Sequence, residues 1–446
     1  MAPPITSPPE VRYARNGAIH LAFQSFGAGE RELILVPGFV SHLEFPWAHP
    51  PYRRFMNRLA SFARVTVYDK RGSGLSDPLD AAAGFDQHLD DLATVIEATG
   101  AERPVVVGWS EGAAVAALFA AHHPGTVESL VLYGAFPRML AAPDYPHGIA
   151  EDVFEITLEG ASEAWGEGVS LSMLAFEKLE DEGFRRWWGR YERASASPGL
   201  AVSALRLDSE VDLRDVLPAI HVPTLLIHRS GDVVSIEGAR LMAQRIPDAR
   251  LVELPGSIHW PWIGDPDEVV AEIEEYVTGR RQAAEPDRAL ATVLFTDIVS
   301  STETAAELGD RRWRILLEGH DDTAKQEIQA HRGKLVKSTG DGLLATFDRP
   351  AAAVNCAQSL RDALSSQGVS IRAGVHTGEI ELIGEDIGGM AVHIAARVSS
   401  LAEADQTLAS RTVKDLVVGS EIEFEEAGAR QLKGVPGVWE LFAVSA

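Results

Sequence analysis

The sequence predicts an α/β chain in two parts, a mostly parallel sheet with a helical insertion followed by a smaller α+β domain. Three observations carry this. Over the first 270 or so residues, short β-branched runs alternate with Ala-rich helical stretches, the signature of βαβ units and a parallel sheet. Around Gly279–Arg288 the periodicity gives way to charged, Pro-containing sequence (GRRQAAEPDR), which reads as a linker. Beyond it a fresh cycle of strands and helices opens. At 446 residues the chain is also too long for one ordinary core, since domains run to roughly 100–200 residues.

In the first part the strands are expected at Leu33–Val36, Val65–Tyr68, Val105–Val107, Leu130–Tyr133, Leu225–His228 and Arg250–Leu254. The rhythm lapses between about Pro137 and Arg214, a helix-rich stretch with Trp165, Trp187 and Trp188, and that stretch is expected to be a cap. At helical spacings those tryptophans are more often core than pocket lining. The resulting division is 10–278 for the first domain, 279–289 for the linker and 290–446 for the second domain. In the second, the expectation is a strand Ala291–Val299, a helix near Asp310–His331, a hairpin Lys334–Phe347 turning at Gly340-Asp341-Gly342, a helix near Ala351–Ser365, a strand Ser370–Thr377 and a helix near Met390–Leu401.

Composition narrows the functions. A net charge of −25 argues against a nucleic-acid-binding surface, which needs clustered Lys and Arg. A nucleotide as small substrate stays open, because a metal ion can carry the positive charge. The single cysteine, Cys356, excludes an intramolecular disulfide and fits a reducing compartment. No apolar run approaches the ~20 residues of a membrane span, and the N-terminus lacks the apolar core of a signal peptide. The cytoplasm is the expected location, with no membrane and no nucleic acid as partners.

The first candidate site centres on Gly108-Trp109-Ser110-Glu111-Gly112. It follows a strand and opens the helical run Ala113–Ala121, the context of a nucleophile elbow, in which glycines permit a strained turn that exposes the Ser hydroxyl. A serine needs a base to take its proton and a carboxylate to fix that base. Asp232 and His259 follow successive strands in the order Ser, acid, His. Either alone reads as a surface turn Asp or a packed loop His; together, in order, they read as a triad. Backbone N–H groups of Phe39, in Val36-Pro-Gly-Phe39, and of Glu111 are expected to form an oxyanion hole. The side chains of His42 and Glu111 are expected to line the site. With Asp69-Lys-Arg71-Gly-Ser-Gly74-Leu-Ser-Asp77 before the elbow strand, this part resembles the α/β-hydrolase family from its first strand to His259, the cap excepted. It departs where Pro37-Gly38 stands in place of the family's usual His-Gly. The family includes esterases, lipases, amidases, C–C hydrolases and haloperoxidase-like enzymes. Ser110 disfavours the branches with an Asp nucleophile, and a small ester-like molecule is the default substrate.

In the second part, Phe295-Thr-Asp297-Ile298-Val-Ser-Ser-Thr302 ends a buried strand with a carboxylate and a hydroxyl run. Backbone N–H groups at such a transition suit phosphate oxygens. Asp341 stands in Gly340-Asp341-Gly342, which in isolation is simply a turn. Two carboxylates at strand ends suit Mg²⁺ when phosphates and water supply its other ligands. Together with Lys337, Asp386, Val392–Arg397 and Leu432-Lys433-Gly434, these residues resemble class III adenylyl and guanylyl cyclases over about Ala291–Val444. The resemblance implies a ferredoxin-like core, two metal ions (Mg²⁺ or Mn²⁺) on Asp297 and Asp341 with help from the Ile298 carbonyl, and charge stabilisation at the α-phosphorus by Arg397. It also implies that Lys433 holds the polyphosphate, that Lys337 and Asp386 select the purine, and that a homodimer shares each site between chains. Chemistry adds a preference for ATP, because adenine offers N1 as acceptor and N6 as donor, matching Lys and Asp, whereas guanine reverses both. One position departs: His393 stands where the family has an Asn that positions the ribose. The segment Gly378–Gly389 is also short for the family. The leading reading is a serine hydrolase fused to an adenylyl cyclase. The alternatives are a hydrolase fold that senses a ligand for the cyclase, and a cyclase-like domain that only dimerises a working hydrolase.

Overall fold

The computed structural model describes residues 4–78, 84–264, 266–281, 287–338, 340–383 and 386–445. Residues 282–286 of the expected linker, and Thr339 within the Lys337–Gly342 motif, lie outside the described residues. The chain divides into two compact units, Met1–Ala284 and Glu285–Ala446.

The first unit holds eight strands: β1 (Arg12–Asn16), β2 (Ile19–Phe26), β3 (Arg31–Val36), β4 (Ala63–Tyr68), β5 (Val105–Trp109), β6 (Ser129–Tyr133), β7 (Thr224–Arg229) and β8 (Ala249–Leu254). They form one sheet in the order β1-β2-β4-β3-β5-β6-β7-β8. From β4 to β8 every pairing is parallel, while β1 and β2 add an antiparallel edge. That edge is absent from the sequence expectation, because β1 is short and carries two arginines, Arg12 and Arg15. Its turn is legible afterwards: Asn16 and Ile19 pair across Gly17, whose φ of 62° suits the tight connection. The central strands read as continuous Val/Leu runs because both faces are covered. Val105, Val107, Val131 and Ile227 enter one core, and Ile34, Val106, Leu130 and Leu226 the other.

The helical insertion expected at 137–214 lies between β6 and β7, with helices Glu151–Glu163, Leu171–Leu174, Glu182–Ser195 and Pro198–Ser209. A buried carboxylate organises it. Glu192 accepts from the backbone N–H groups of Gly166, Gly168 and Ser170, each at 2.9 Å, and from Ser170 Oγ at 2.6 Å. Trp165 is buried in the insertion's core, while Trp188 is buried in the core under the sheet, where Trp187 also packs, stacked on His49. These tryptophans are packing residues.

The second unit is built on β9 (Asp287–Ile298), β10 (Lys334–Ser338), β11 (Gly342–Phe347), β12 (Ile371–Ile383), β13 (Asp386–Gly388), β14 (Thr407–Ser410), β15 (Phe424–Gln431) and β16 (Val438–Val444). The order is β10-β11-β9-β12-β14-β16-β15, with β13 folded back on β12. The mixed sheet carries helices Asp310–Ala330, Pro350–Ser365 and Met390–Ser400. β12 runs six residues past its expected end, antiparallel to β9 as far as Leu382. Glu379 and Glu381 disguise that extension as loop. Helix Met390–Ser400 lies directly on β12: a Cβ on Gly374 would come within 2.2 Å of Ser399 N. This close approach leaves the other side of the helix, with His393 and Arg397, exposed.

Candidate active sites

The elbow is tight enough that only glycine fits beside the serine. A Cβ on Gly108 would meet Gly112 O at 2.5 Å, and one on Gly112 would meet Val36 O at 2.3 Å. Ser110 itself sits at φ 54°, ψ −128°, a left-sided conformation that costs a non-Gly residue about 1–3 kcal/mol. The fold holds it there with Ser110 N–H donating to Tyr133 O (2.9 Å) and helix Glu111–His122 starting at once.

The structure brings Ser110, His259 and Asp232 together. His259 Nε2 lies 2.8 Å from Ser110 Oγ, and His259 Nδ1 lies 2.8 Å from Asp232 Oδ2. Asp232 follows β7 and takes the N–H of Val234 (3.0 Å); His259 follows β8 and donates its own N–H to Leu174 O in the insertion (3.0 Å). Gly134 clears space for the ring, since a Cβ there would stand 2.9 Å from His259 Cε1. Burial disfavours the imidazolium, but the Asp232 carboxylate, by charge and hydrogen bond, outweighs it with help from Glu111. The imidazole therefore titrates above its ordinary 6.5. Because only neutral His259 can accept a proton from Ser110, hydrolysis should rise with pH through a midpoint above 6.5. Asp232→Asn removes the raising partner and leaves burial dominant, so its residual activity should show an acid limb displaced downward. A pH profile of kcat/KM for a small ester in both proteins checks this.

Glu111 follows the serine in the chain and Phe39 follows Gly38, where an added Cβ would stand 3.0 Å from Ser110 Cβ; no backbone carbonyl among the described residues takes the N–H of Phe39 or Glu111. The loop that carries Phe39 is braced by Asp69, which accepts from Ser41 Oγ (2.7 Å), Leu75 N (2.9 Å) and Leu43 N (3.2 Å). Burial still pushes the Asp69 carboxyl up, to about 6. The sequence motif around Asp69 thus supports the loop facing the serine. His42 does not line the serine's cavity; its Nδ1 accepts from the N–H groups of Glu44 and Phe45 (3.2 Å each). Glu111 does line it. The cavity, of about 270 Å³, lies between Ser110, His259 and the insertion, with walls that include Phe136, Met139, Ile149, Phe154, Met173 and Leu205.

In the second unit the register sets the two carboxylates side by side. Asp297 pairs with Gly342, and Ile298 N–H donates to Asp341 O at 3.0 Å. Asp341 also accepts from Ser301 Oγ. Sequence reasoning missed Arg372, which faces Asp297 from β12 with Nε 3.0 Å from Oδ2 and a second contact through its terminal nitrogen. An Arg opposite the last turn of a strand carries no local pattern, so only pairing reveals it. The N–H groups of Ile298 and Val299 are spent on Asp341 O and Ser370 O (2.9 Å for the latter). The expectation that this stretch offers its N–H groups to phosphate is thereby narrowed to the start of helix Ser301–Leu308.

Two carboxylates and the Ile298 carbonyl form a hard oxygen set that fits Mg²⁺ or Mn²⁺. No group of three or more acidic, His or Cys side chains placed to hold a metal exists among the described residues; an ion held here would take its remaining ligands from outside the chain and would compete with Arg372 for Asp297 Oδ2.

Lys337 and Asp386, far apart in sequence, meet: Lys337 Nζ lies 2.6 and 2.8 Å from the Asp386 oxygens, both side chains about half exposed. Hydrogen bonding to the Lys337 ammonium holds the Asp386 carboxyl below its usual range. His393 and Arg397 lie one turn apart on helix Met390–Ser400, and Lys433 lies in the turn between β15 and β16; all three are exposed. No hydrogen bond or ion pair among the described residues joins these three, or the Lys337–Asp386 pair, to Asp297 or Asp341.

Over residues 32–266 the chain belongs to the α/β-hydrolase fold family. Residues 285–446 match the adenylate and guanylate cyclase catalytic domain, so the chain joins a hydrolase-fold domain to a cyclase domain. A pimeloyl-[acyl-carrier protein] methyl ester esterase of Nitrosospira multiformis is 29% identical over 274 residues, which is 58% of this chain and 99% of that protein. An esterase from Exiguobacterium antarcticum superposes with a TM-score of 0.53 at 23% identity, covering 59% of this chain and 98% of its own, a likeness of fold. An adenylyl cyclase from P. aeruginosa is 24% identical, covering 36% of this chain and 97% of its own with a TM-score of 0.34. No described helix is long and apolar enough to cross a membrane.

Proposed function

We propose that this chain is a bifunctional enzyme, a serine hydrolase acting on small apolar esters fused to an adenylyl cyclase that works as a homodimer. The unbroken contact series Asp232–His259–Ser110 carries the first half. His259 takes the Ser110 proton as Oγ attacks the ester carbonyl, and Asp232 stabilises the imidazolium. The Phe39 and Glu111 N–H groups receive the oxyanion, and His259 returns the proton to the leaving alcohol. A water molecule, activated by the same histidine, then releases the acid.

The Lys337–Asp386 pair carries the second half. An exposed ion pair is worth only about 0–1 kcal/mol, so adenine can exchange into it cheaply, N1 accepting from Lys337 and N6–H donating to Asp386. Asp297, Asp341 and the Ile298 carbonyl would hold divalent ions, which supply charge neutralisation on the triphosphate and acidify the ribose 3′-hydroxyl. Arg397 faces the charge that builds on the α-phosphate, Lys433 holds the polyphosphate, and His393 donates one hydrogen bond toward the ribose in place of an amide. Arg397, His393 and Lys433 are exposed, and no hydrogen bond or ion pair among the described residues joins them to the carboxylates, which supports sites completed by a second subunit. With Mn²⁺, the protein should convert ATP to cyclic AMP at least about tenfold faster than GTP to cyclic GMP, the discrimination expected when a polar pair faces the wrong base. Equal use of both nucleotides would remove the adenylyl assignment.

A further inference from the structure

The cavity beside Ser110 is mostly apolar, with Arg138, Tyr145, His147 and Ser235 also on its wall, and it holds one acidic group that the hydrolytic mechanism does not use. Glu111 is 7% exposed and lines the cavity; its Oε2 is wholly buried without a hydrogen-bond partner, and no described residue is hydrogen-bonded to Oε1, the oxygen left to a ligand. Its position is fixed by the loop opposite: a Cβ on Gly38 would stand 3.0 Å from Ser110 Cβ and 3.2 Å from Glu111 Oε2. The carboxylate is therefore a near neighbour of the reacting serine.

No described residue donates a hydrogen bond to it. Arg138, the one arginine lining the cavity among the described residues, is committed to Asp212 (3.1 Å) and to the Leu140 carbonyl (3.0 Å). Asp208, in the insertion, borders a small gap with Glu111; burial pushes its carboxyl up, to about 7, but no hydrogen bond joins the two and Asp208 Oδ2 is also without a partner. A buried acceptor left unpaired is costly, and native proteins rarely leave one without a reason.

We infer that Glu111 makes the cavity selective for esters that carry a hydrogen-bond donor, a hydroxyl or an amine, close to the scissile carbonyl. This rests on the hydrolase reading. A plain alkyl ester would fill the apolar walls and seal the carboxylate away from water unpaired. A carboxylated ester would bring a like charge to it. A hydroxylated or amino ester meets both the walls and the acceptor.

The test measures binding to the full-length Ser110→Ala protein, which cannot turn the ligand over, by calorimetric titration. The ligands are ethyl hexanoate, ethyl 3-hydroxyhexanoate, ethyl 3-aminohexanoate and monoethyl succinate. The hydroxyl and amino esters should bind about tenfold or more tightly than ethyl hexanoate, as for a site whose acceptor is otherwise unpaired, and monoethyl succinate should bind weakest. In the same background Glu111→Met should bring the four affinities together. Glu111→Gln, which keeps the shape and an acceptor but loses the charge, should keep the hydroxyl preference and lose much of the amine preference. Equal affinities in the parent protein, a preference that survives Glu111→Met, or no binding of any ester would overturn the inference. Turnover by the wild-type protein separates the two claims: preference without turnover removes the hydrolase reading and leaves the subsite, and turnover without preference removes the subsite alone.

Discussion

Ser110→Ala is expected to lower ester hydrolysis by about 10⁴–10⁶-fold, with little change in KM, because removing the nucleophile of a working triad costs nearly as much as removing the triad. The geometry leaves no substitute. His259 Nε2 is directed at Ser110 Oγ at 2.8 Å, and no second hydroxyl is hydrogen-bonded to that nitrogen among the described residues. The variant should fold, since alanine keeps the backbone N–H that donates to Tyr133 O and loses only the hydroxyl. Covalent labelling by a fluorophosphonate should vanish with activity. A hydrolysis rate in Ser110→Ala within tenfold of wild type would mean that the esterase activity resides elsewhere.

The second large effect concerns the cyclase unit. Asp297→Ala and Lys337→Ala should each lower cyclic AMP formation by at least about a hundredfold, one by removing a carboxylate from the metal-holding set, the other by removing the donor for adenine N1. If each site takes its carboxylates from one subunit and its purine-selecting pair from the other, mixing the two inactive proteins must restore activity. With free exchange half the dimers are mixed and each has one intact site, so recovery should approach about one quarter of wild type, as for any twofold dimer with two shared sites. Asp297→Ala mixed with Asp341→Ala should restore nothing, because both lesions fall in the same set. Recovery in neither mixture would place the whole site within one chain, against the exposed and uncommitted Arg397, His393 and Lys433.

What could be read from the chain beforehand follows from the range of the physics involved. The parallel strands were legible because burial on both faces turns them into uninterrupted Val, Leu and Ile runs. The elbow was legible because two glycines and a serine are forced by a local turn. Ser110, Asp232 and His259 could be grouped because each stands just after its own strand, so strand order alone brings them to one edge. The edge hairpin β1–β2 was hidden because its outer strand has only one buried residue, Ala14. The continuation of β12 was hidden because Glu379 and Glu381 belong to a strand's exposed positions. Arg372 and the Glu192 cradle depend on pairings between distant segments, which leave no spacing to recognise. For Glu111 the sequence indicates a backbone donor and a lining residue; that its carboxylate is buried and unpaired is a property of packing.

The central claim is that the chain holds a second catalytic centre beside the serine triad. The measurement that tests it most directly is cyclic AMP formation from ATP by the purified full-length protein with Mn²⁺, run beside Asp297→Ala. A rate in the wild type that disappears in the mutant is the predicted result, and it would locate the chemistry at the carboxylates beside Ile298. The same background rate in both proteins would contradict it, and the serine hydrolase would then stand as the chain's only activity.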